Sequence, residues 1–93
     1  MQYKYKDKKL QKLAQGEFVK EYSSDTTLVR AFHKCINQIK AAKNLNDLKN
    51  IRALHYESYR ERPECSVRLN KQWRLMVRME GEEMVICAIE NYH

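Results

Sequence analysis

The sequence predicts an α+β fold, in which an N-terminal strand and two helices pack on a small antiparallel C-terminal sheet. Between residues 28 and 39, apolar residues recur at helical spacing. Between residues 65 and 79, apolar residues alternate with polar residues, and residues 85–89 form a continuous apolar run. Both patterns are typical of β-strands. A chain of 93 residues is expected to form one domain, here residues 1–93.

The chain begins with two short predicted elements. Gln2–Lys6 alternates two tyrosines with polar residues, which predicts an edge strand. Asp7–Gln15 then carries apolar residues at helical spacing, and Gly16 is expected to end this first helix.

The second helix has the clearest signals. Residues 23–26 form a cluster of side chains that favour the N-cap position. The apolar stripe that follows consists of Leu28, Phe32, Cys35, Ile36 and Ile39. We expect this helix to run to about Lys43 with Asn44 as its C-cap, and Asn46–Lys49 to add a further helical turn.

The C-terminal half predicts three antiparallel strands. Residues 65–69 and 73–79 alternate apolar with polar side chains, and Met84–Ile89 is more uniformly apolar. Both connections between these segments are short, so two hairpins are expected. A fourth strand is possible if Ala53–Tyr56 also pairs with the sheet.

The alternation assigns side chains to the two faces of this sheet. Trp73, Leu75 and Val77 should face the core beneath the two helices. The opposite face then carries three arginines, namely Arg68, Arg74 and Arg78. A helical layer on one side and a basic sheet face on the other could bind RNA.

The charge distribution also points to an anionic partner. The net charge is +6, and six of the seven arginines lie between Arg52 and Arg78, whereas residues 80–93 carry four acids and no lysine or arginine. Arginine binds phosphate in a bidentate manner, so nucleic acid is the simplest partner. A solvated basic face is the alternative interpretation.

Several features indicate a cytoplasmic protein without a membrane partner. No apolar stretch approaches the roughly 20 residues of a membrane helix. Residues 1–13 are rich in lysine and lack the apolar segment of a signal peptide. Cys35, Cys65 and Cys87 are unpatterned and surrounded by apolar neighbours, which predicts buried thiols in a reducing compartment.

The histidines and tyrosines are the candidate chemical groups. His33, His55 and His93 are far apart and show no metal-ligand spacing, so neither a metal nor another cofactor is expected. His33 is interpreted as a surface or boundary residue of the second helix. Tyr56, Tyr59, Tyr92 and Trp73 could be boundary aromatics or could stack on bases. Two histidines, a tyrosine and several arginines on one face would supply the acid, base and cations that RNA cleavage needs.

Three segments of the chain resemble the HigB-type toxins of the RelE superfamily, which belong to type II toxin–antitoxin systems. These segments are Leu54-His55, Ser66-Val67-Arg68-Leu69-Asn70-Lys71-Gln72-Trp73-Arg74-Leu75, and Asn91-Tyr92-His93. The family shows leucine-histidine, then serine-isoleucine-x-x-asparagine-x-x-tryptophan/tyrosine-arginine-isoleucine, and ends in aspartate-tyrosine-histidine. The likeness is ungapped from about Leu54 to Val77 and resumes at the terminus, while the N-terminal half agrees in layout only.

The resemblance implies a RelE-like microbial RNase fold and a metal-independent mRNA endonuclease, or mRNA interferase, that acts on the ribosome and inhibits translation. It implies neutralisation by a HigA-type helix-turn-helix antitoxin, with DNA contacted only through that complex. The catalytic residues carried over are His55, Arg74, Tyr92 and His93, with Asn91 orienting a neighbour. The residues expected to bind RNA are Arg60, Arg62, Arg68, Lys71 and Arg78.

The chain departs from the family in three ways, and these leave alternatives open. Asn91 replaces an aspartate, and the glycine-containing loop of the family becomes the bulkier Tyr59–Pro63. If residues 84–93 form a regular strand, Tyr92 and His93 point to opposite faces. A catalytically weak member that mainly binds antitoxin or ribosome, and an unrelated basic RNA-binding module, are therefore the rival hypotheses.

Overall fold

The computed structural model describes residues 1–92, which form three α-helices and a four-stranded mixed sheet. In chain order the elements are β1 (Tyr3–Tyr5), α1 (Lys8–Ala14), α2 (Thr26–Ala41), α3 (Leu45–Lys49), a 3-10 turn (Arg52–Leu54), β2 (Cys65–Arg68), β3 (Trp73–Glu80) and β4 (Glu83–Asn91). The strand order across the sheet is β1-β4-β3-β2. The α+β class and both hairpins are confirmed, but the sheet is mixed because β1 runs parallel to β4.

Helix α2 begins where the sequence predicts and ends slightly earlier. The Asp25 side chain accepts a hydrogen bond from the Leu28 backbone N–H, which satisfies a free donor of the first turn. The prediction that Asn44 caps the end of α2 is wrong. Ala42 ends α2 in an extended conformation, and Asn44 is instead the N-cap of α3, where its side chain accepts from the Asp47 N–H.

The possible strand over Ala53–Tyr56 does not form. Arg52–Leu54 makes the 3-10 turn, and His55 follows in the left-handed conformation with φ 44° and ψ 55°. Neither geometry presents the extended backbone that strand pairing needs. The fourth strand of the sheet is β1, which was predicted correctly as an edge strand.

The main core lies between the helices and one face of the sheet. Its fully buried members include Leu10, Leu28, Phe32, Leu75 and Ile86. As predicted, Val77 and Leu75 face this core and Trp73 packs against it. The Trp73 indole N–H donates to the Asp25 carboxylate at 3.2 Å and thereby ties β3 to the start of α2.

The three thiols are free, and the structure describes each of them. Cys35 and Cys87 are buried as expected, whereas Cys65 is half-buried at the edge of the core. Burial raises the pKa of the Cys35 thiol to about 12, which keeps it protonated and inert at neutral pH. None of the helices within residues 1–92 is long and apolar enough to cross a membrane.

The opposite face of the sheet is only partly open. The register of β3 and β4 shifts after Met76, which pairs with Ala88 while Val77 pairs with Ile86, so Cys87 is an extra residue in β4. A small second cluster of Met76, Val85 and Cys87 forms on this face, and Tyr59 packs against it. The expected basic face is therefore interrupted at its centre by apolar side chains.

Candidate functional site

A cleft of about 320 Å³ lies at one end of the sheet and gathers several of the predicted site residues. It is lined by His55, Glu57, Arg68, Lys71 and Tyr92. Strands β2 and β4 both run antiparallel to β3, so their C-terminal ends lie at the same end of the sheet. Arg68 and Tyr92 thus approach one another from different strands, while His55 enters from the segment after the 3-10 turn.

His55 is held by an unusual backbone conformation. Among residues 1–92, positive φ occurs at Gly16, Gly81 and His55, and of these His55 alone is not a glycine. Its backbone N–H donates to the Arg52 carbonyl at 3.1 Å, which closes the 3-10 turn and leaves the side chain exposed. Non-glycine residues in this region store backbone strain, and such strain clusters at functional sites. The conformation places an accessible imidazole at the cleft.

Tyr92 is fixed by one further step of strand pairing beyond β4. Its backbone N–H donates to the Gln72 carbonyl at 2.8 Å. The Tyr92 ring then lies against Arg74, whose guanidinium carbon is 5.4 Å from the ring centre. This contact connects Arg74 to the cleft through a cation–π interaction.

Arg74 is held on several sides at once. Its Nη1 donates to the Tyr59 hydroxyl at 3.1 Å, its Nη2 donates to Glu90 at 3.4 Å, and its guanidinium carbon lies 5.8 Å from the Tyr59 ring centre. The Arg74 Nε is buried and has no hydrogen-bond partner within residues 1–92. The Tyr59 hydroxyl is in turn 2.8 Å from the buried Ser66 Oγ. Arg74 is therefore a positioned cation.

Glu90 joins Arg62, which was predicted to bind RNA, to Arg74, which was predicted to be catalytic. Arg62 Nη2 donates to Glu90 at 2.8 Å, and Arg62 Nε donates to Glu64 at 3.4 Å. The hydrogen bond from Arg62, assisted by the charges of Arg62 and Arg74, lowers the pKa of the Glu90 carboxyl. Arg62 and Arg74 thus share one carboxylate, which partly neutralises this side of the sheet.

The remaining predicted residues have separate positions. Arg78 lies four residues along β3 from Arg74, about 13 Å away at strand spacing, and pairs with Glu80. Arg60 and Asn91 are exposed, and His93 lies outside the described residues. The His33 Nε2 contacts the Leu13 carbonyl at 3.1 Å, in agreement with a boundary position on α2.

Sequence reasoning treated Tyr59 only as a boundary or base-stacking aromatic and gave Ser66 and Glu90 no role in the site. The acidic composition of residues 80–93 was a signal for Glu90, but only the register of Arg74 opposite Glu90 shows which arginine it reaches. Tyr59 lies in an irregular segment, so no periodicity could have placed it against Arg74.

The arrangement combines an imidazole, a phenol and cations around one cleft. An imidazole can accept or donate a proton near neutral pH, and Arg68, Lys71 and Arg74 can bind phosphate oxygens. Within residues 1–92, no group of three or more histidine, cysteine, aspartate and glutamate side chains could hold a metal ion. Compared with known proteins, the chain matches neither a family model nor a curated protein sequence.

Proposed function

We propose that this protein is a HigB-type toxin of the RelE superfamily, an endonuclease that cuts mRNA on the ribosome and is neutralised by a HigA-type antitoxin. The observation that carries the proposal is the cleft that His55, Arg68, Lys71 and Tyr92 share, with Arg74 packed against Tyr92. The sequence resemblance selects His55, Arg74 and Tyr92 through the family's motifs, whereas Arg68 and Lys71 fall at variable positions of the same segment.

In this proposal the ribose 2′-oxygen attacks the neighbouring phosphorus. Its proton goes to a general base, and the bond to the 5′-oxygen breaks as a general acid protonates that oxygen. The products are a 2′,3′-cyclic phosphate and a free 5′-hydroxyl. His55 is one candidate for proton transfer, because an imidazole can act as either a general base or a general acid. Arg74 would stabilise the negative charge that develops on the phosphate.

The second candidate function is a toxin-like protein that mainly binds antitoxin or ribosome. It is favoured by the ion pairs of Glu90, which holds Arg62 at 2.8 Å and Arg74 at 3.4 Å. A phosphate would have to compete with this carboxylate for both arginines. The substitution of Asn91 for the family's aspartate points in the same direction.

In-vitro translation followed by primer extension on the mRNA separates the two candidates. If the protein is the proposed endonuclease, new 5′ ends should appear within the translated region of the mRNA. His55→Ala and a variant that lacks His93 should lose these ends, because loss of a general acid or base lowers the cleavage rate about 10²–10⁴-fold. Arg74→Ala should lower the rate about 10²–10³-fold. Lys6→Ala is the matched control, because Lys6 is exposed beside the opposite edge strand β1.

Growth measurements supply a second test. Expression of the chain alone should arrest growth, and co-expression of a cognate antitoxin should restore it. Intact mRNA on ribosomes that nevertheless bind the folded protein would contradict the endonuclease proposal and favour the binding function.

A further inference from the structure

A second groove adjoins the cleft and lies between α2 and the end of β2. It encloses about 280 Å³. Its cationic lining residues are Arg30, Lys34 and Arg68, and its apolar lining includes Ala31, Leu54 and Leu69. Arg68 also lines the cleft that contains His55 and Tyr92. One arginine therefore borders both spaces, and the groove continues the cleft towards the exposed side of α2.

The cations of this groove differ from most of those on the sheet face in forming no ion pair with any of residues 1–92. Arg62, Arg74 and Arg78 each pair with a glutamate, whereas Arg30 and Lys34 form no ion pair with any of residues 1–92. Among the described residues, none that lines the groove is acidic. The positive charge of the groove is thus available to a ligand.

The spacing on α2 also favours an anionic ligand. Arg30 and Lys34 are four residues apart, which places them one above the other on the same face of the helix. Like charges at this spacing repel one another and destabilise an isolated helix. A bound polyanion would remove this repulsion, and Arg68 adds a third positive charge from a different element.

We propose that a single RNA strand continues from the cleft into this groove, where Arg30 and Lys34 bind its backbone phosphates. This inference rests on the proposed function of the cleft. A continuous strand is favoured over an acidic peptide because Arg68 is shared between the two spaces. No aromatic side chain of residues 1–92 lines the groove, so this part of the chain offers no platform on which bases could stack. Binding there should be electrostatic and indifferent to base sequence.

Direct binding measurements with two RNA lengths test the proposal. The probes are fluorescent 2′-O-methyl oligonucleotides, which lack the attacking hydroxyl; one spans only the cleft and the other extends by several nucleotides. The variant Arg30→Ala/Lys34→Ala is compared with Lys8→Ala/Lys12→Ala, which removes two charges at the same spacing from the exposed side of α1. Circular dichroism confirms that both variants fold.

The expected result is confined to the longer RNA. Loss of two phosphate contacts should reduce the slope of log K against log salt by about 1.4, which corresponds to roughly 25-fold weaker binding at 0.1 M salt. The short RNA should bind both variants like the parent, and the Lys8/Lys12 variant should bind both RNAs like the parent.

Three outcomes would overturn this inference. If the long RNA bound the Arg30/Lys34 variant with the parental affinity and slope, the groove proposal would fall while the cleft proposal would stand. If neither RNA bound the parent, both proposals would lose their basis. If a polyglutamate peptide bound the parent and lost affinity in the variant while RNA binding did not change, the groove would be a protein-binding site.

Discussion

Tyr59→Phe should destabilise the fold through the hydroxyl group alone. The phenylalanine ring can keep the packing of Tyr59 against the second cluster. The hydroxyl, however, is 2.8 Å from the Ser66 Oγ and accepts from Arg74 Nη1 at 3.1 Å. Ser66 is only 1% exposed, so water cannot readily replace its lost partner.

The expected cost follows from these two partners. A buried hydroxyl left without a hydrogen bond costs about 1–3 kcal/mol. Arg74 contributes less, because its side chain is 21% exposed and keeps its contact with Glu90. We therefore expect a loss of about 2–3 kcal/mol in the free energy of unfolding, or a fall in Tm of about 8–24 °C for a domain of this size.

Urea unfolding of a double-mutant cycle measures the contact itself. Tyr59→Phe, Ser66→Ala and the double variant are compared with the parent. Because the double variant removes both hydroxyls together, its cost should be smaller than the sum of the single costs by about 0.5–1.5 kcal/mol. Tyr22→Phe is the matched control, since the Tyr22 hydroxyl has no hydrogen bond within residues 1–92, and it should change stability by under about 0.5 kcal/mol.

Additive costs for Tyr59→Phe and Ser66→Ala, or a Tyr59→Phe variant as stable as the parent, would refute the argument. The Tyr59 hydroxyl would then be solvated, and the segment that carries it would not hold Arg74.

Three further substitutions test other parts of the structure. Asp25→Ala should lower the free energy of unfolding in urea by about 1–2 kcal/mol, because it removes the N-cap of α2 and the acceptor of the Trp73 indole. Asp25→Asn keeps an oxygen acceptor and should lower it less. Equal losses for the two variants would contradict this role of Asp25. Gly81→Ala should lower the free energy of unfolding by about 1–2 kcal/mol, because Gly81 has φ 61°. The added methyl group meets no atom within 4 Å, so the loss would come from the backbone alone. An unchanged midpoint of urea unfolding would contradict this backbone strain. Because Arg62 and Arg74 lower the pKa of Glu90 in the folded state, the resulting stability is present above the ordinary glutamate pKa of 4.5 and is lost as pH falls through the lowered value. Glu90→Gln should therefore show a shallower loss of Tm over that acidic range, and parallel Tm profiles would contradict the ion pair.

The sequence by itself determined the features that depend on local periodicity. Three features follow from which side chains must leave water. They are the apolar stripe on α2, the alternation of Trp73, Leu75 and Val77, and the edge position of β1. Of the cleft residues, strand alternation selects Arg68, and the resemblance to HigB-type toxins selects His55 and Tyr92.

Only the tertiary structure decided the features that depend on partners distant in sequence. The parallel pairing of β1 with β4 joins residues about eighty positions apart, and the extra residue Cys87 changes which side chains share a face. Glu90 became the partner of Arg62 and Arg74, and the Tyr59 hydroxyl became the partner of Arg74, through contacts that no local pattern encodes. Helical and strand periodicity depends on which side chains of a single segment face water and which face the core. The charge that an arginine presents to RNA depends instead on which acidic residue the whole fold brings beside it.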